Sequence, residues 1–109
     1  MITTLALVVW MTIYPLVGLA PLTITTLIRV PVQGWGVDHF CHGWEFQGEV
    51  EDPRYDTHPA ARYTCRWSWR GLEQFTWKLE REGQYRVWAD QRLPNGRVVK
   101  VIERLVNVS

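Results

Sequence analysis

The segment DHFCH places Asp38, His39, Cys41 and His42 within five residues, and His58 and Cys65 follow downstream. Imidazole and thiolate are good ligands for Zn²⁺ or copper, and two Cys with two His would complete a tetrahedral site. The spacing fits this poorly. Cys41 and His42 are adjacent, no Cys-x-x-Cys or His-x-x-x-His occurs, and on an extended strand His39 and Cys41 face one side with His42 on the other. A blue-copper set also uses a downstream Met, whereas the two Met residues stand at positions 1 and 11. The competing chemistry is oxidation. Cys41 and Cys65 are the only cysteines, and a bridge over their separation of 24 positions stabilises a fold by roughly 3 kcal/mol. Such a bridge belongs to an oxidising compartment, while two free thiols would belong to the cytosol. We take the disulfide as the expectation, with no cofactor. The set His39, Cys41, His42, His58 and Cys65 remains the alternative, as a small metal-dependent site.

Other reactive groupings are weaker. Glu49, Glu51 and Asp52 open a charged loop without a partner for acid–base work. The serines, Ser68 and Ser109, lie in no Gly-x-Ser-x-Gly elbow, and no phosphate-cradling glycine loop or dinucleotide fingerprint is present. No catalytic residue is assigned, and the chain is read as a non-enzyme. Seven tryptophans raise the possibility of stacking on glycans or single strands. Trp44, Trp67, Trp69 and Trp77 share parity with neighbouring apolar residues, which predicts core positions. Trp88 breaks that parity on the side of Arg86, and Trp35 stands between glycines. Trp35, Trp88 and Arg86 are therefore the candidate exposed contacts, with a protein or with a membrane interface.

The charges divide the chain in two. Twelve Lys and Arg oppose eleven Asp and Glu, a net charge of +1 that argues against a nucleic-acid partner. All of them lie at Arg29 or beyond. The uncharged stretch before it is long enough, at ~1.5 Å per helical residue, to cross a ~30 Å hydrocarbon core. Three readings compete for it. The first, which we adopt, is a transmembrane helix within residues 1–29, followed by a linker over 30–37 and a domain over 38–109. The second is a signal peptide ending near Ala20, which lacks a basic start and would leave Pro21 at the cleavage point. The third is a strand from Thr23 to Val30 in a domain without an anchor. Pro15, Pro21 and the β-branched run TITT weigh against a helix.

Beyond position 30 the dominant period is two. Phe40, Trp44, Phe46 and Val50 share a parity, as do Tyr63, Cys65, Trp67 and Trp69; Phe75, Trp77 and Leu79; and Tyr85, Val87 and Ala89. Alternation at this spacing turns one face inward and the other into water. The stretch GRVVKVIERLVNV carries β-branched residues on both parities and reads as a strand covered on both sides for part of its length. Turn chemistry separates these runs: EDPRYDTHPA, Arg70-Gly71, EREG and LPNG, whose Asn-Gly suits a tight hairpin. Five strands follow, with a sixth at about 22–32.

The stretch EGQYRVWADQRLPNGRVVKV resembles the penultimate strand, hairpin and last strand of immunoglobulin-like sandwiches of the fibronectin type III and PKD kinds. RYTC is similar to the Tyr-x-Cys of immunoglobulin domains. The cysteine spacing departs from that family, being shorter, and further strands follow Cys65. The resemblance implies an all-β immunoglobulin-like β-sandwich of five to seven antiparallel strands, and such folds host many functions. The combined expectation is an accessory or binding subunit of a membrane complex. It would be a single-pass protein whose sandwich lies outside the cytoplasm, with other protein subunits and the lipid bilayer as partners. The alternative is a secreted module for a protein or glycan ligand.

Overall fold

The computed structural model describes residues 10–29, 38–48, 59–68, 71–92 and 97–109. Eight strands account for most of them: β1 (Trp10–Tyr14), β2 (Val17–Gly18), β3 (Leu22–Arg29), β4 (Asp38–Phe46), β5 (Ala61–Ser68), β6 (Leu72–Leu79), β7 (Gly83–Arg92) and β8 (Val98–Val108). They form two sheets, a smaller one ordered β1-β3-β6 and a larger one ordered β2-β8-β7-β4-β5. Every pairing is antiparallel except the short parallel match of β2 with β8. The protein is an all-β, two-sheet sandwich.

The uncharged N-terminal stretch differs from the adopted expectation. Residues 10–29 form β1, β2 and β3 rather than part of a helix, and no helix among the described residues is long and apolar enough to cross a membrane. The cause lies in the residues that made the helix reading awkward. Pro15 and Pro21, each behind a cis peptide bond, fall between strands, where no ladder hydrogen bond is lost. The β-branched residues of β3 put Ile24, Thr26 and Ile28 into the core, with Thr23 and Arg29 outside. The linker over 30–37, Val50 and most of the loop before β5 lie outside the described residues.

The core is a layer of large side chains between the sheets. Met11, Ile24 and Ile28 from the smaller sheet meet Phe40, Trp44, Tyr85, Val87, Ala89, Val106 and Val108 from the larger one, with Phe75 and Leu79 of β6 closing one side. Edge-on ring pairs such as Trp44 with Tyr85, at 5.2 Å, fill it densely. The expected parities of β4, β6 and β7 are those observed. The last strand is covered on one face only: Val106 and Val108 are buried, whereas Val101 and Leu105 face solvent.

In β5 the expected parity is reversed. Tyr63 and Trp67 are 68% and 51% exposed and Cys65 is exposed as well, while Trp69 lies outside the described residues. The register explains this. Phe40, His42 and Trp44 turn inward, so Cys41 points to the outer face, and Cys41 stands directly opposite Cys65. Tyr63 and Trp67, two residues either side of Cys65, follow it outward.

Two glycines permit close approaches. Gly83 begins β7 at φ 138° in the turn from β6, where a Cβ would meet the Phe46 ring at 2.5 Å. Gly43 is buried between β5 and β7, and a Cβ there would lie 2.2 Å from the Arg62 carbonyl oxygen and 2.4 Å from Tyr63 Cβ. Because these neighbours are backbone and near-backbone atoms of a paired strand, relief requires β4 and β5 to part. Gly43→Ala should therefore destabilise the fold by about 1–3 kcal/mol. Thermal unfolding followed by circular dichroism would register this as a fall of roughly 4–8 °C per kcal/mol for a domain of this size.

Candidate functional site

β4 carries both sets of residues that could do chemistry, one on each face. On the inner face His42 is fully buried beside Phe75, at 4.8 Å between ring centroids. Its Nδ1 lies 2.7 Å from the Trp88 carbonyl oxygen, and its Nε2 lies 2.8 Å from both Trp77 Nε1 and Thr26 Oγ1. An indole N–H only donates, so Nε2 must accept and the proton sits on Nδ1, donated to Trp88 O. The Thr26 hydroxyl donates to the same Nε2. Burial is the main cause that pulls the His42 pKa down from 6.5 to about 4, opposed by the hydrogen bond to Trp88. The ring, neutral near pH 7, is a strut joining β3, β4, β6 and β7.

The outer face of the larger sheet is organised in cross-strand rows. One row sets Trp67, His39 and Arg92 side by side, and the next sets Cys65, Cys41 and Asp90. A third runs Tyr63, Gly43, Trp88 and Glu103, and a fourth Ala61, Glu45, Arg86 and Leu105. Cys41 and Cys65 are joined in a disulfide, S–S 2.06 Å, within one sheet rather than between sheets. Asp90, only 5% exposed, is held by Arg92 through two hydrogen bonds of 3.0 and 3.1 Å, and its Oδ1 accepts from the Cys41 N–H at 3.2 Å. The bonds to Asp90 raise the Arg92 guanidinium above its ordinary range, so the buried carboxylate is compensated.

Aromatic rings lie over this polar frame. His39 stacks on Trp67 at 4.6 Å and 17° between planes. Tyr63 approaches Trp88 at 6.2 Å across the bare backbone of Gly43. Trp88 is half-buried, and Arg86 lies alongside it, paired with Glu45 at 3.4 Å and with Glu103. With Val101 and Leu105 at 48% and 51% exposure, the result is a broad aromatic and aliphatic surface stapled by the disulfide.

The candidate residues are thus separated by the fold. His39 is outside, His42 inside, and both sulfurs bond each other. Among the described residues no three His, Cys, Asp or Glu side chains converge as a metal site. His58 and Trp35 lie outside the described residues. The reading of the sequence missed Tyr63 and Trp67 as surface residues. The signal was present in the sequence, since Cys41 alternates with Phe40 and Trp44 and its bridge partner must share its face.

No family model matches the chain, and no curated protein matches it. A solved structure does: the crystal structure of the PmoD soluble domain from Methylocystis sp. (Rockwell) superposes with a TM-score of 0.59. The match covers 93% of this chain and 90% of that one, at 8% sequence identity. The likeness is one of fold. It supports the two-sheet sandwich as an architecture used by another protein and transfers no residue role.

The His42 network yields a signed pH dependence. Its folded pKa lies below its unfolded value, so its contribution to stability is complete above about pH 6.5 and is lost as pH falls toward 4. A shift from 6.5 to about 4 corresponds to about 3 kcal/mol. Urea unfolding at a series of pH values should show this loss, and His42→Gln should be less stable at pH 7 yet flatter across the interval. Nitrogen shifts of the ring at pH 7 should report the Nδ1–H tautomer.

Proposed function

We propose that the protein is a non-catalytic binding module, working outside the cytoplasm as an accessory subunit of a larger, membrane-associated assembly. Its partner is another protein, gripped by the outer face of the five-stranded sheet. The observation that carries this reading is the exposure of Tyr63 and Trp67 beside Trp88, Val101 and Leu105 on a sheet face that the core does not need. Exposed aromatic and aliphatic groups cost solubility unless something covers them, and protein interfaces concentrate such rings. The disulfide supports the placement in an oxidising compartment. A neighbour of like fold being described as a soluble domain is compatible with this architecture serving as one part of a larger protein.

Two measurements test the proposal. Intact mass of the protein isolated from its native host without reductant should be lower by about 2 Da than that of the reduced chain, the two thiol hydrogens lost on oxidation. Both thiols free in the native cell would remove the extracytoplasmic placement. For the surface, a photo-crosslinking amino acid at Trp67, at Tyr63 or, as control, at Thr23 of β3 is introduced into the full chain in its host. Discrete protein adducts from Trp67 and Tyr63, absent from Thr23, are expected. Equal labelling from both faces, or none, would overturn the docking role.

A further inference from the structure

The two sheets are unequal, and the difference leaves a strand-shaped space. β6 packs over β4, as the contacts of Trp77 and Phe75 with His42 show. β6 is hydrogen-bonded to β3 along one edge, and among the described strands nothing pairs with its other edge. β5 lies beyond β4 in the larger sheet with no described strand of the smaller sheet opposite it. Its inward residues therefore overhang: Arg66 reaches back over the Phe75 ring at 4.6 Å and toward Glu73 at 3.9 Å. Beneath the overhang, beside the unpaired edge of β6, opens a cleft of about 370 Å³.

The lining of this cleft is specific. Trp44 and Trp77 form an aromatic floor, and among the described lining residues Arg62, Lys78 and Arg81 outnumber the one carboxylate, Glu80, which lies 3.6 Å from Lys78. Trp44 is 4% exposed, and its Nε1–H has no acceptor among the described residues. Burying a donor without a partner is unfavourable, so an acceptor delivered into the cleft would relieve that cost. An unpaired strand edge presents a row of backbone donors and acceptors that only another extended backbone can match along its length.

We propose that this edge binds an extended acidic peptide segment of a partner, which adds to β6 as a fourth strand of the smaller sheet and lies under β5. Its backbone pairs with Leu72–Leu79; its carboxylates on the face toward the larger sheet meet Arg62, and those on the outer face meet Lys78. A small anion would satisfy the charges but leave the backbone edge unmet, which is why the peptide is the better match. This surface is distinct from the outer aromatic face, so the outcome here neither rescues nor damages the docking role of Tyr63 and Trp67.

The test uses the full chain with its disulfide intact, labelled with ¹⁵N, and as probe the capped heptapeptide Thr-Glu-Glu-Thr-Glu-Glu-Thr, which carries Glu on both faces of a strand. Saturable shifts of β6 amides are expected, together with a change in tryptophan fluorescence and at least about tenfold slower hydrogen exchange along β6. The same peptide with Lys in place of Glu should not bind. The double variant Arg62→Glu, Lys78→Glu, at exposed positions that the core does not use, should weaken the Glu peptide by about tenfold or more and favour the Lys peptide. Trp44→Phe should weaken binding while leaving that charge preference in place. Absence of any β6 response overturns the proposal. So does protection of β6 before peptide is added: sedimentation then tells a second copy on the edge from a segment of the same chain. Equal shifts produced by free glutamate would reduce the cleft to an anion site and likewise overturn it.

Discussion

Phe40, His42 and Trp44 turn toward the smaller sheet, and the pleat of β4 then sends His39, Cys41 and Gly43 the other way. That single parity decides most of what the molecule can present. Because Cys41 pairs with Cys65 on one side and Asp90 on the other, it fixes the register of both β5 and β7. A slip of one residue in β5 would break the bridge and bring Arg62 and Arg66 to the outer face in place of Tyr63 and Trp67. The aromatic surface is thus a consequence of where the core places β4, and the disulfide holds the arrangement against slippage.

On the inner face the same strand uses a histidine where an aliphatic residue would pack. His42 commits its two nitrogens to Trp88 O, Trp77 Nε1 and Thr26 Oγ1, which come from three different strands. Apolar contacts tolerate sliding, whereas these bonds have one geometry. Leaving any of the three partners unmet in the core would cost more than the bond gains. The smaller sheet therefore has a defined position over the larger one, and with it the cleft between β6 and β5 has a defined width. Trp77 serves both, donating to His42 and forming part of the cleft floor.

Much of this was legible in the residues. The alternation of Phe40 and Trp44, of Phe75, Trp77 and Leu79, and of Tyr85, Val87 and Ala89 identified three strands and their inward faces, since burial on one face leaves a period of two. The cysteine pair identified the bridge. The N-terminal stretch was misleading because length and lack of charge are shared by a membrane helix and by uncharged strands covered on one face. Its β-branched residues and two prolines carry the distinction, and they favour strands. The inversion of β5 arose from treating each strand alone. Tyr63, Cys65 and Trp67 look like a core face until Cys65 is tied to Cys41, whose neighbours Phe40 and Trp44 claim the interior. The alternation put His42 on the face of Phe40 and Trp44 but gave no signal of its bonding, because its partners are distant in sequence and one of them is a backbone carbonyl.

The energetic position of β5 explains why a bridge is found there. Of its residues from Ala61 to Trp67 only Thr64 is half-buried, the others being exposed. Burial of apolar area, which holds the other strands in place, contributes little here. Backbone pairing to β4 alone is weak for an edge strand that reaches beyond the described strands of the smaller sheet. A covalent tie worth roughly 3 kcal/mol at this loop length replaces the missing burial. Once the strand is held by sulfur rather than by its side chains, those side chains are released from packing duty. Tyr63 and Trp67 can then face outward without costing the fold its edge, while Arg62 and Arg66 can reach inward over β6. The disulfide thus allows both faces of β5 to be surfaces at once, and it accounts for large aromatic residues on a strand that contributes almost nothing to the core.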